Sequence, residues 1–469
     1  MAFLPIVLAI YYILVTFKAK RAFSNAWLLF ASLVFYAWGE PVYVILMVLS
    51  TIVAYVAGLL IGYFKDKDEP GKSKAALIGA IVIHVGAFVV FKYTDFILTN
   101  VNGIFRTSFK MTELALPIGI SFYTFQILSY LIDAYAGKVA IQKNWLNLAT
   151  YVALFPQLIA GPIVRYETVE NELSNRSETI DSFSIGVRRF IIGLSKKVLI
   201  ANTVGELYTL VHALPDSEQS VTMLWIASIA YTFQIYYDFS GYSDMAIGLG
   251  KMFGFNFLEN FNYPYISDSI TEFWRRWHMS LSSWFKDYIY IPLGGNRAGA
   301  LKQYRNIFIV WLLTGMWHGA EWTFIFWGLY FGVLLVIEKV KLLEILEKLP
   351  KVVRHIYTMV LVIISWTVFA AEDFSSFLVT LKGMFGIGDI AFYNARTASY
   401  VGSYLLLFII AALGATPYPK AIYTKLIGGD DKKGAIYKLA DCACIMIIFV
   451  IAIAYLVSAS FNPFLYFRF

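Results

Sequence analysis

Two histidines lie where an imidazole could handle a proton. His318 falls in WLLTGMWHGAEW (311–322), between Gly315 and Gly319 and beside Trp317 and Trp322. His278 ends EFWRRWH, 40 residues upstream. Imidazole is the side chain whose unperturbed pKa, about 6.5, suits proton transfer near neutrality. The other three histidines have ordinary surroundings: His84 in a plain apolar run, His212 at a segment end, His355 in a basic loop. Acids and bases recur around the pair. YTFQIYYDFSGYSDMAIGLG (231–250) holds Gln234, Asp238, Ser240, Ser243 and Asp244 in otherwise apolar sequence. On one helix Asp238 and Asp244 would stand about 240° apart, on different faces, which suits a metal poorly. Either could cap a broken helix or pair with an arginine. Glu272, Arg275 and Arg276 have the i, i+3, i+4 spacing of helical ion pairs, so a structural role is expected for at least one arginine. Cys442 and Cys444, two apart, fit neither a disulfide framework nor a zinc site, and no metal is expected.

These residues need a membrane scaffold. Of 469 residues, 59% are hydrophobic and 15% charged, with 39 Phe, 32 Tyr and 12 Trp. Soluble domains run nearer 45–50% and about 25%. With a mean hydropathy of +0.66 the chain reads as an all-α polytopic membrane protein, which excludes a soluble enzyme, a disordered chain and a small secreted scaffold. In such a protein the placement of Lys and Arg matters more than the net charge of +7, so nucleic-acid binding is not expected. Apolar runs at 3–17, 26–39, 41–64, 75–91, 320–337, 356–371, 400–414 and 442–459 read as spans. Less regular stretches at 114–135, 145–164, 187–211, 221–249 and 307–317 are interrupted by Pro, Gly and charge. Irregular backbone survives at membrane depth where protein or a water-filled cavity covers it. About ten or eleven crossings are therefore expected, with re-entrant and broken helices around a central funnel. One domain is expected over 1–469: N-terminal spans at 1–110, a core at 111–330 and C-terminal spans at 331–469. Lys18, Lys20 and Arg21 follow the first run and the loops 341–354 and 420–438 are basic, which predicts both termini outside.

Several strings resemble the membrane-bound O-acyltransferase family, and most of all its branch of alginate O-acetylation membrane proteins. They are LPIGISFYTFQILSYLIDAY (116–135), FPQLIAGPIVRY (155–166), QIYYDFSGYSDMAIGLGKMFGF (234–255), NFNYPYISDSITEFWRRWHMSLSSWFKDYIYIPLGGNR (260–297), WLLTGMWHGAEWTFIFWGLY (311–330) and the closing FNPFLYFRF. The resemblance implies an enzyme of the bacterial cytoplasmic membrane that moves an acyl group from a thioester to a hydroxyl. The family's near-invariant histidine maps onto His318 and its second polar position onto His278. Acetyl-coenzyme A or another acyl thioester would be the donor substrate, with no bound cofactor. An extracellular polysaccharide would be the final acceptor, with a separate extracytoplasmic acetyltransferase, an acyl carrier protein and membrane lipid as partners.

On that reading His318 takes the proton of the attacking hydroxyl, or is itself briefly acylated. His278 is expected to act on the carbonyl oxygen, or to position the hydroxyl as an acceptor. Arg275, Arg276, Asp238 and Trp317 are candidate substrate contacts, the arginines together with Lys286 for donor phosphates. The basic segment 188–197 could suit an acidic carrier. D-alanyl transfer to teichoic acids is the alternative within the family. A non-enzymatic transporter is the alternative outside it, since carriers also break helices around midplane charges.

Overall fold

The computed structural model describes residues 2–159, 161–297, 299–426, 435–458 and 464–465. Most of the closing FNPFLYFRF, including Phe469, and part of the basic loop 420–438 lie outside these residues. Among the described residues the chain is helical, with one isolated bridge between Ser220 and Ala391 and no strand. It divides into two compact units, 1–187 with 246–258 and 188–245 with 259–469.

The first unit carries α1 (Phe3–Thr16), α2 (Arg21–Gly39), α3 (Tyr43–Asp66), α4 (Pro70–Phe105), α5 (Ile120–Ala136), α6 (Trp145–Ala153) and α7 (Tyr166–Asn175). It also takes the first half of α8 (Ile180–Ser195). In α3 and α4 one side is buried and Leu49, Ile52, Val56, Ile78 and Val82 are exposed, the pattern of helices facing lipid. At 14 residues α1 is about 21 Å long, short of a hydrocarbon core of about 30 Å. After α6 the described residues 154–159 and 161–164 are non-helical and, Ile159 apart, buried, so the interruption expected over 145–164 is present and covered by protein. A buried charge network closes the unit. Arg176 donates to Tyr11 (2.8 Å) and Asn25 (2.6 Å), while Glu178 accepts from Arg21 and Tyr11, both at 2.5 Å.

The second unit follows with α9 (Asn202–His212), α10 (Val221–Met252) up to Met245, α11 (Ile270–Arg276), α12 (Met279–Phe285), α13 (Ala300–His318) and α14 (Trp322–Ile337). It ends with α15 (Leu343–Leu346), α16 (Lys351–Ala370), α17 (Phe374–Met384), α18 (Ala395–Gly414), α19 (Tyr418–Leu426) and α20 (Ala435–Ser458). Three π-helical turns interrupt it, at Lys196–Ala201, Lys286–Tyr290 and Glu338–Leu342. The first falls inside the irregular stretch expected at 187–211.

Two expected breaks are absent. α10 runs unbroken through 221–249, and the apolar piece 307–317 belongs to a single 19-residue helix. In α10 the glycines mark close approach, not a kink. A Cβ at Gly241 would stand 2.8 Å from the Gly193 carbonyl oxygen. Among the described residues six helices (α2, α3, α4, α16, α18 and α20) are long and apolar enough to cross a membrane.

Candidate active site

α13 delivers His318 as its last residue, and the backbone leaves the helix at Gly319 with φ −159° and ψ 156°. Three glycines let α14 pack against it there. A Cβ at Gly315 would come within 2.4 Å of the Phe324 carbonyl oxygen, one at Gly328 within 2.3 Å of the Trp311 carbonyl oxygen, and one at Gly319 within 2.0 Å of the Phe324 ring. Small residues at a helix contact allow such backbone approach. The His318 ring is 6% exposed and meets Trp317 and Trp327 at 5.0 Å and Phe369 at 5.3 Å, each nearly edge-on.

His278 occupies the turn between α11 and α12 with φ +44° and ψ 53°. Left-handed backbone at a non-glycine residue costs on the order of 1–3 kcal/mol and clusters at functional sites. Its ring is 1% exposed, lies edge-on to Phe239 at 4.6 Å and reaches Trp317 at 6.0 Å. The two imidazoles therefore share one indole.

Asn260 decides the tautomer of His278. The Asn260 Nδ2 donates to Ser243 (3.1 Å), and its Oδ1 accepts from the Ser280 backbone N–H (3.2 Å) and hydroxyl (2.8 Å). The amide orientation is thus fixed. His278 Nδ1 lies 3.1 Å from the same Oδ1 and must donate, so it carries the proton. Nε2 keeps its lone pair, and it is buried with no hydrogen-bond partner. A second bond, from the Met279 N–H to the Asn260 carbonyl (2.9 Å), holds the turn against the same residue. Continuous α10 supplies Phe239 and Ser243 one turn apart, which sets both on the face toward His278.

Residues 139–378 match the sequence profile of the membrane-bound O-acyltransferase family. A probable alginate O-acetylase AlgI of Pseudomonas putida is 39% identical over all of this chain and 98% of its own length. The chain belongs to the membrane-bound O-acyltransferase family. A peptidoglycan O-acetyltransferase of Helicobacter pylori is 36% identical over 83% of this chain and 79% of its own. A teichoic acid D-alanyltransferase of Bacillus subtilis is 30% identical over 46% of this chain and 58% of its own. The chain is thus a multi-pass membrane O-acyltransferase, and the transporter alternative gives way to that membership.

Within this O-acyltransferase the candidate residues separate. His278, Trp317 and His318 come together. Asp238 is buried and paired with Lys197, and its other oxygen accepts the Leu465 N–H at 2.9 Å. Arg276 pairs with Glu272 at 2.8 Å, the i, i+4 pair that the spacing predicts. Arg275 lines a separate cavity. Asp244 pairs with Arg189 (2.8 Å) and Lys196 (2.6 Å). With Arg188 on Asp441 and Lys197 on Asp238, every cation of 188–197 is engaged by a carboxylate of its own chain. Sequence reading passed over Asn260, Trp327 and Phe369. For Asn260 the only signal was one of two amides in NFNYP ahead of EFWRRWH; a tryptophan or phenylalanine in an apolar run carries none.

Proposed function

We propose that this acyltransferase passes acetyl groups from a cytosolic thioester through a bacterial cytoplasmic membrane for O-acetylation of an extracellular polysaccharide. The observation that carries the reading is the buried, lone-pair-bearing Nε2 of His278 beside the indole shared with His318. In this reading His318 accepts the proton of the attacking hydroxyl as the new C–O bond forms. The C–S bond then breaks, and the departing thiolate takes the proton back. A base so placed contributes on the order of 10²–10⁴ in rate. His278 Nε2, an acceptor in this tautomer, receives another N–H or O–H of the bound substrates, since the single proton of the attacking hydroxyl goes to His318; the tautomer leaves it no donor's role toward the carbonyl oxygen. Trp317 sets the distance between the two rings.

Acetyl-coenzyme A or a carrier-bound thioester supplies the acyl group, and a secreted acetyltransferase finishes transfer outside. The nearly full-length match to an alginate O-acetylase supports acetyl over D-alanyl, whose named relative aligns with less than half of this chain. The test expresses His318→Ala and His278→Ala in a host lacking its own acetylation system and measures ester-linked acetate on the surface glycan. Both variants should insert at wild-type levels, His318→Ala should fall to background, and His278→Ala should lose about 100-fold or more. Wild-type acetate from either variant would refute the assignment, and D-alanyl ester in place of acetate would transfer the site to the other chemistry.

A further inference from the structure

A cavity of about 400 Å³ in the second unit lies among α11, α12, α13 and the segment running from the end of α14 to Leu343. Its walls are largely apolar, with Trp274, Leu281, Phe285, Val310, Trp311 and Leu335 among them. Arg275, Lys286 and Lys339 also line it, and no lining residue is acidic. All three cations are exposed, and none has a carboxylate partner among the described residues. Arg189, Lys196, Lys197, Arg276 and Arg354 of the same unit, by contrast, are each paired with a carboxylate.

The backbone holds the three charges in place. Lys286 and Lys339 each sit in a π-helical turn, a local widening that is frequent at functional sites. The buried carboxylate of Glu338 accepts the N–H groups of Ile270 (2.7 Å) and Thr271 (2.8 Å) and the Thr271 hydroxyl (2.7 Å). This pins the turn that carries Lys339 to the first residues of α11, the helix that carries Arg275.

Two observations identify the occupant. Around Lys339 the residues Val333, Ile337, Val340 and Ile345 are exposed and apolar, a surface that suits hydrocarbon beside the three charges. Neither imidazole lines the cavity. Trp274 and Trp311 meet at 4.4 Å, Trp327 lies 6.3 Å behind Trp311, and it is Trp327 that touches His318. A thioester in this cavity would be separated by these rings from the reacting histidine. We infer that the cavity is a binding site for an anionic phospholipid, its phosphate between Arg275, Lys286 and Lys339 and part of one acyl chain along the tryptophan wall. Basic pockets between membrane helices recognise anionic headgroups in this way.

The test uses full-length delipidated protein and native mass spectrometry with phosphatidylglycerol or phosphatidylcholine of matched chains. Phosphatidylglycerol should be retained preferentially. Each of Arg275→Gln, Lys286→Gln and Lys339→Gln should weaken it about fivefold, and the triple variant about 100-fold. Lys67→Gln, Lys72→Gln and Lys74→Gln together serve as a charge control and should change nothing. If the triple variant aggregates, the single variants decide, each by its own fivefold loss. Equal retention of the two lipids, or unchanged retention by the variants, would overturn the site. Displacement of phosphatidylglycerol by acetyl-coenzyme A would overturn it as well, by giving the cavity to the donor.

Discussion

Asp238 and Asp244 on one side and His278 on the other are all polar groups in apolar sequence, yet the fold treats them in opposite ways. Each carboxylate is met by cations from the end of α8 and the π-turn after it, Lys197 for Asp238 and Arg189 with Lys196 for Asp244. The imidazole meets no charge at all. It is held by an amide on one nitrogen and left open on the other. An ion buried in a low dielectric must be neutralised in place, and once neutralised it has little left to offer a substrate. An uncharged ring can be buried whole and still present a lone pair. The proposed function accordingly leaves the paired groups to structure and gives the unpaired one to chemistry.

The largest effect that could break this contrast lies on the ionic side. Lys197→Met strands the Asp238 carboxylate and should destabilise by about 3–5 kcal/mol, while the double variant Lys197→Met, Asp238→Leu should recover most of that loss. Thermal unfolding of detergent-solubilised protein checks both, and a double variant as unstable as the single one would place the pair on the chemical side. Next, Asn260→Ala frees the His278 tautomer. Activity should fall about 10–100-fold through kcat, with KM near wild type and a lowered melting midpoint, and Asn260→Asp, which keeps the acceptor oxygen, should restore part of the activity. A loss in melting midpoint alone would make Asn260 a packing residue. Smallest, Ser243→Ala removes the bond that orients the amide and should cost about fivefold in kcat, close to the net worth of one hydrogen bond of about 1 kcal/mol.

How much of this was legible in the sequence follows from range. Apolar runs report burial in lipid without reference to any partner, so α2, α3, α4, α16, α18 and α20 were visible at once. The pairing of Arg276 with Glu272 was visible because one helical turn separates them. The partners of Asp238 and His278 were not, since Lys197 is 41 residues away and Asn260 is 18. The continuity of α10 was misread for a related reason. Gly241, Gly248 and Gly250 look like breakers in isolation, but tertiary contact decides their meaning, and Gly241 faces the Gly193 carbonyl across a helix contact. The left-handed turn at His278 had no local signature, because nothing in RRWHMS asks for glycine geometry.

That turn bears on how the protein responds to selection for heat resistance alone. Glycine would adopt φ +44° at position 278 without the penalty that a side chain meets there, and it would also remove an unbonded ring nitrogen from the interior. Against that gain stands the cavity left by a ring packed on Phe239 and Trp317, which would cost about 3–5 kcal/mol, so selection for survival on heating should leave His278 in place.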